Sequence, residues 1–291
     1  MAEDAINRAK QIIAQFKGRG AQPTRSNINC AKDGIWLHVC RNRVADGLEA
    51  RVVNPNLIAQ TKTNMCGIAA FVRQWAEDDP AGYAWLGITL YENGTGRIGR
   101  GNLTGKEVFP SRDLKSSPIP QWQTDGVWHE MNHADWVILG SIREAFNGLF
   151  TRYTANDPLE PLAGMTLPTE VVNAFKAAGY TSIINQTDWA IGKGFDTIQE
   201  ASDLVDAKWK VVLLINSNLL RTRTIDTQGA VGDHWVGLLS TIQMNLVGKD
   251  YNVNPFQIFT WGGTMYVPER NVPFPLTTLL KHYYGYVAAK Y

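Results

Sequence analysis

Residues 60–76 read QTKTNMCGIAAFVRQWA, and residues 232–263 read GDHWVGLLSTIQMNLVGKDYNVNPFQIFTWGG. The first stretch turns from polar to periodically apolar at Cys66. Ile68, Ala69, Phe71, Val72 and Trp75 recur at helical spacing, so a helix starts at Cys66, runs to about Ala76 and stops at Asp78, Asp79 and Pro80. In the second stretch His234 opens the apolar run HWVGLLSTI, which suits a buried strand, and FQIFTWGG suits another. These β-rich segments, His234 to Met244 and Phe256 to Val267, flank the turn-like GKDYNVNP. If the second strand returns antiparallel, the start of the first pairs with the end of the second, bringing Thr260 and Trp261 beside His234.

Outward from these two stretches the chain is helical first and sheet-rich second. Ile6, Ala9, Ile12, Ile13 and Phe16 share one face of a helix over Ala5 to Phe16, which KGRGAQP ends. Ile35, Leu37 and Val39 alternate with Trp36 and His38 as in a strand, and Ala50 to Val53 suits another short strand. The Gly-, Ser-, Pro- and Lys-rich Thr95 to Pro120 reads as a long surface excursion, and Ala134 to Phe146 as a second strong helix. Then come a helix from Thr169 to Ala178 closed by Gly179, a strand from Ser182 to Ile184, a helix from Ile198 to Ala207, and a strand from Val211 to Ile215. A final helix is expected near Thr277 to Ala289. The resulting class is α+β, divided into an N-terminal arm or short prosegment-like region (1–53), a mainly helical lobe (54–165) and a β-rich lobe (166–291) with a cleft between the lobes.

With 291 residues, 44% of them hydrophobic, the chain is long enough to bury a large core. Lysine plus arginine (28) nearly balances aspartate plus glutamate (27), and no basic run is interleaved with aromatics, so neither nucleic acid nor a membrane is an expected partner. The amino terminus carries early acids and no apolar core or cleavage site of a secretory signal, and no stretch is long and apolar enough to span a bilayer. A soluble, cytoplasmic chain is expected as synthesised, compatible with delivery by a signal-peptide-independent secretion system. The three cysteines, Cys30, Cys40 and Cys66, are an odd count, so no disulfide framework is expected; Cys30 and Cys40 lack the CxxC spacing of zinc or redox sites and read as plain buried thiols, with a Cys30–Cys40 pair as the weaker alternative.

At the first turn of a helix, free N–H groups and the macrodipole stabilise a thiolate, which makes Cys66 a candidate nucleophile. Gln60, six residues upstream, offers a side-chain N–H to the oxyanion formed on an attacked carbonyl. His234 is the candidate base, Thr260 its orienting partner and Trp261 a shield over that contact, with Trp235 and Asp233 flanking. Singly, each has a plain structural reading: a small buried thiol, a polar loop residue, a satisfied strand histidine.

Together these residues resemble the papain-like cysteine peptidase superfamily. Its members place a glutamine six residues before a nucleophilic cysteine at a helix start, a base histidine at the start of a strand in the second lobe, and a Trp-Gly pair at the end of the following strand. Gln60, Cys66, His234, Trp261 and Gly262 match that pattern, over roughly residues 54–76 and 232–263. The family's Asn or Asp two positions before the Trp is Phe259 here, for which Thr260 substitutes better than Gln257 or Asp233. Gly67 stands where a Trp usually follows the cysteine. The resemblance is to a divergent branch, similar to papain-like enzymes among bacterial effectors and toxins. It implies a cysteine peptidase or related amide-directed thiol hydrolase with a protein or peptide substrate, a protein inhibitor as a further class of partner, and no cofactor or metal.

A competing motif is HEMNH at 129–133, which satisfies HExxH: His129 and His133 one helical turn apart for zinc, with Glu130 as base. Glu144, Glu160 and Glu170 are the acids downstream that a third ligand requires. A non-catalytic binding module of papain-like fold is the remaining alternative.

Overall fold

The computed structural model describes residues 2–19, 33–99, 105–146, 166–188, 190–221, 225, 227 and 231–291. The architecture is α+β. Its frame is a six-stranded sheet ordered Gly263–Val267, Phe256–Thr260, His234–Leu238, Lys210–Ile215, Tyr283–Lys290 and Ser182–Asn185, with every neighbouring pair antiparallel.

The Lys210–Ile215 strand, KVVLLI, explains the layering. Its even-numbered residues Val212 and Leu214 join Trp235, Phe259 and Val287 against the helical layer, while Val211, Leu213 and Ile215 join Val236, Leu238 and Ile258 on the other face. That second face is covered by Ile198 and Ala201 of the Phe195–Asp206 helix and by Leu276 and Leu279. A sheet buried on both faces loses its polar alternation and reads as a continuous apolar run. Each fully buried aliphatic side chain adds roughly 2 kcal/mol relative to exposure.

The helical layer comprises Ala2–Gly18, Arg41–Val53, Cys66–Asp78, Pro80–Asn93 and the continuous helical run from His133 to Phe146, whose middle, Trp136–Gly140, is π-helical. The Cys66 helix packs across the His234 strand. Asp79 and Pro80 end this helix as expected and also start the next one: Asp79 Oδ1 accepts the Gly82 N–H at 2.9 Å, and Pro80 sits where no N–H is needed. Gly179, at φ 91°, follows the Pro168–Ala177 helix.

Several expected elements differ. Residues 35–39 form no strand: Ile35 and Leu37 are exposed, while Trp36 is buried and its Nε1 donates to Leu90 O at 2.8 Å. Trp36 and Val39 face inward while Ile35 and Leu37 face solvent, so the expected alternation does not run through the segment. Ala50 to Val53 is the last turn of the Arg41–Val53 helix. The 95–120 excursion contains the paired Gly96–Arg97 and Glu107–Val108 and a short helix at Arg112–Ser116. GKDYNVNP is no simple turn, since Asp250–Val253 is a strand paired with Met244–Val247. The final helix is confined to Leu276–Leu280, and Tyr283–Lys290 is an inner strand of the sheet. Burial on both faces there leaves no period-2 signal to separate strand from helix. Cys40 is disulfide-bonded rather than a plain thiol, and Cys66 is free. The expectation for Cys30 falls outside the described residues. None of the described helices is long and apolar enough to cross a membrane.

Candidate functional site

Cys66 is the first residue of its helix and is 7% exposed. The backbone N–H groups of Trp235 and Gly67 both act on its thiol. Burial pushes the thiol above its ordinary value, and the Asp233 carboxylate adds to the rise; the two N–H donors and the Arg143 guanidinium act against it. The Cys66 helix packs on the His234–Leu238 strand, and the Trp235 backbone N–H at the start of that strand acts on the thiol at the helix start. Two stretches of chain far apart in sequence therefore meet at the sulfur.

His234 is buried, and its Nε2 lies 2.7 Å from Thr260 Oγ1. The antiparallel register, Phe259 opposite Gly237, sets His234 and Thr260 diagonally on one sheet face. Phe259 points into the helical core, which explains why the hydroxyl comes from the next residue. Burial holds the imidazole neutral, with its pKa pushed down to about 4, and Arg221 contributes in the same direction. The Trp261 ring covers His234 at 5.1 Å between centroids.

That cover has a conformational cost. Trp261 and Gly262 form the two-residue turn between Thr260 and Gly263, both with positive φ, 50° and 84°. Such a turn favours Asn, Asp or Gly at its first position, and a bulky residue there is strained by roughly 1–2 kcal/mol. Trp261 keeps its unfavourable backbone while its ring lies over the His234–Thr260 contact, and strain of this kind concentrates at working sites.

Gln60 is 6% exposed, and its Oε1 has no hydrogen-bond partner. Its carbonyl accepts the Thr63 N–H at 3.1 Å and the Thr63 hydroxyl at 2.6 Å, which shapes the loop leading to Cys66. Asp233 points away from the imidazole: its carboxylate accepts the Ser217 N–H at 2.6 Å and the Ser217 hydroxyl at 3.1 Å. Trp235 lies on the helical side of the sheet, where its Nε1 donates to Thr166 O at 2.8 Å.

Three features were not read from the sequence. Arg143, fully buried, donates to Glu170 Oε2 at 2.7 Å and brings a positive charge to act on the sulfur. Thr166 packs so closely on Gly67 that a Cβ added there would lie 2.6 Å from the Thr166 Cβ, so any larger residue after Cys66 forces Thr166 to shift. Asp135, buried, binds Arg51 through both oxygens at 2.6 Å. No local signal marks these residues, because a charge buried by partners distant in sequence looks like any surface charge.

The HEMNH residues do not form one helical turn. His129 and Glu130 belong to the exposed strand Val127–Glu130, where His129 stacks on Trp122, whereas His133 begins the next helix. Both His133 ring nitrogens are engaged, Nδ1 by the Cys40 N–H at 3.0 Å and Nε2 by Glu130 Oε1 at 2.9 Å. Glu144 accepts the Ser111 N–H and Glu170 pairs with Arg143, while Glu160 lies outside the described residues. The spacing needed for zinc is thus broken by the strand, and the proposed ligands have other partners.

In sequence, no model of a known family and no curated protein matches the chain.

Proposed function

We propose that this protein is a thiol hydrolase of papain-like arrangement, in which Cys66 attacks a peptide or amide carbonyl with His234 as base. One observation carries the reading. The backbone N–H of the residue following His234 acts on the Cys66 thiol, and the ring of that histidine commits Nε2 to Thr260, leaving Nδ1 for proton transfer.

For Nδ1 to accept a proton, Nε2–H donates to Thr260 Oγ1, and that bond fixes the orientation of the ring. A thiol held up by burial and an imidazole held neutral favour transfer during attack over a preformed ion pair. As the S–C bond forms, the Cys66 proton passes to Nδ1. The Gln60 amide and the Cys66 backbone N–H bind the oxyanion, and the imidazolium protonates the departing amine. Water, deprotonated by His234, then cleaves the thioester and regenerates the thiol. Trp261 keeps water from the Thr260 contact.

The same groups serve peptide cleavage, deamidation of a carboxamide, and acyl transfer to another acceptor. The substrate class is a protein or peptide, and a protein inhibitor is the partner that would compete for this cleft. An effector or toxin role rests on the family resemblance. The test is incubation of wild type and Cys66→Ala with a complex peptide mixture, read by mass spectrometry for new termini and for Gln or Asn converted to acid. Products made by the wild type alone support the reading; identical product profiles from the two proteins reject it.

A further inference from the structure

Ala59, the residue before Gln60, is held from two sides. On the helical side its N–H donates to Asp135 Oδ2 at 3.0 Å. Asp135 comes from the His133–Asp135 turn and is fixed by Arg51 of the Arg41–Val53 helix, whose Nε and Nη2 each lie 2.6 Å from a carboxylate oxygen. On the sheet side the turn after Thr260 presses against it: a Cβ added to Gly262 would lie 2.4 Å from the Ala59 Cβ. The loop bearing the candidate oxyanion donor is therefore wedged between a buried ion pair and the hairpin that orients His234.

A bidentate ion pair at 1% and 8% side-chain exposure loses much solvation and is by itself a poor source of stability. Its fixed geometry does, however, aim one carboxylate lone pair at a single backbone N–H. We infer that Asp135 is the positioning residue of the Gln60 loop, and that the Arg51–Asp135 pair sets the place of the Gln60 amide relative to Cys66 through Ala59. This rests on Gln60 being the oxyanion donor. Asp135 touches neither substrate nor sulfur in this scheme and acts only through the loop.

Two reactions of Cys66 separate the role from folding. Acylation by p-nitrophenyl acetate passes through a tetrahedral oxyanion, whereas alkylation by iodoacetamide is a direct displacement at carbon and forms none. The full-length protein is assayed for both at one pH, with attachment at Cys66 verified by peptide mapping and native packing by near-ultraviolet circular dichroism. Arg51→Met with Asp135→Leu replaces the pair by apolar side chains and removes the acceptor for Ala59. Its acylation-to-alkylation ratio is expected to fall about 10-fold or more, as in Gln60→Ala. Should the double variant not fold, Asp135→Glu keeps the charge, displaces the acceptor by a methylene and is expected to lower the ratio in the same way.

An unchanged ratio in the folded acceptor-displacing variants, with Gln60→Ala lowered, overturns the role of Asp135 alone. An unchanged ratio in Gln60→Ala overturns the oxyanion assignment and this inference with it.

Discussion

Among the described residues up to Thr181, the buried polar groups include Arg41, Arg51, Arg73, Arg143, Asp135 and Glu170, whereas from Ser182 onward they are Ser202, Asn216, His234, Thr260, Thr278 and His282, with no guanidinium or carboxylate among them. The helical layer is thus registered by directional charge pairs, and the sheet by apolar burial on both faces. Ion pairs in a dry interior specify geometry more than they stabilise, while apolar surface stabilises and tolerates small shifts. The groups of the proposed site lie where the two regimes meet: Gln60 follows Ala59, whose N–H binds the carboxylate of a charge pair, and His234 opens a strand.

The hardest way to break this contrast is to remove one partner of a buried charge pair. Glu170→Ala removes the carboxylate from fully buried Arg143 and is expected to cost roughly 3–5 kcal/mol in urea unfolding. Arg143→Met together with Glu170→Leu is expected to restore most of that stability. The same double variant removes the cation acting on Cys66, so its alkylation at fixed pH slows even though the fold survives. Equal destabilisation by the single and double variants would contradict the view that pairing, rather than packing, is what matters there.

The sheet side is probed by pH. The folded-state pKa of His234 is depressed from 6.5 to about 4, so the unfolded chain binds the proton more tightly. Its contribution is complete above pH 6.5 and is lost as pH falls through the window down to about 4, by roughly 3 kcal/mol in all. His234→Gln removes this part of the acid sensitivity, which denaturant midpoints at pH 7 and pH 4 measure.

Gly67→Ala tests the seam between the two regions. With its new Cβ 2.6 Å from that of Thr166, it is expected to destabilise by about 1–3 kcal/mol and to slow every reaction of Cys66. Trp261→Gly gives the smallest effect and the most telling sign. Relief of the positive φ is expected to stabilise the hairpin by about 1 kcal/mol, measured by thermal unfolding, while acylation of Cys66 slows because the His234–Thr260 contact is opened to water. A variant that is both less stable and fully reactive would remove the case for a working role of that indole.

The same division governs what could be read from the sequence. The Cys66 helix was legible because its apolar residues are local and periodic, and the His234–Thr260 contact followed from antiparallel register alone. The Arg41–Val53 helix was not, because Arg41 and Arg51 occupy buried positions and spoil the amphipathic pattern. Tyr283–Lys290 failed for the opposite reason, since a strand covered on both faces shows no pattern at all. HEMNH illustrates a third failure: a motif carries its chemistry only on the right element, and the strand up to Glu130 removes the helical turn. Asp135 and Arg143 gain their significance solely from partners far away in the chain.

The most direct test of the account is the pH dependence of Cys66 acylation in wild type and in His234→Gln. If the imidazole takes the thiol proton during attack, the wild-type rate falls as pH drops through about 4, and His234→Gln is slower by roughly 100-fold or more at pH 7. Equal rates in the two proteins across that range would contradict it.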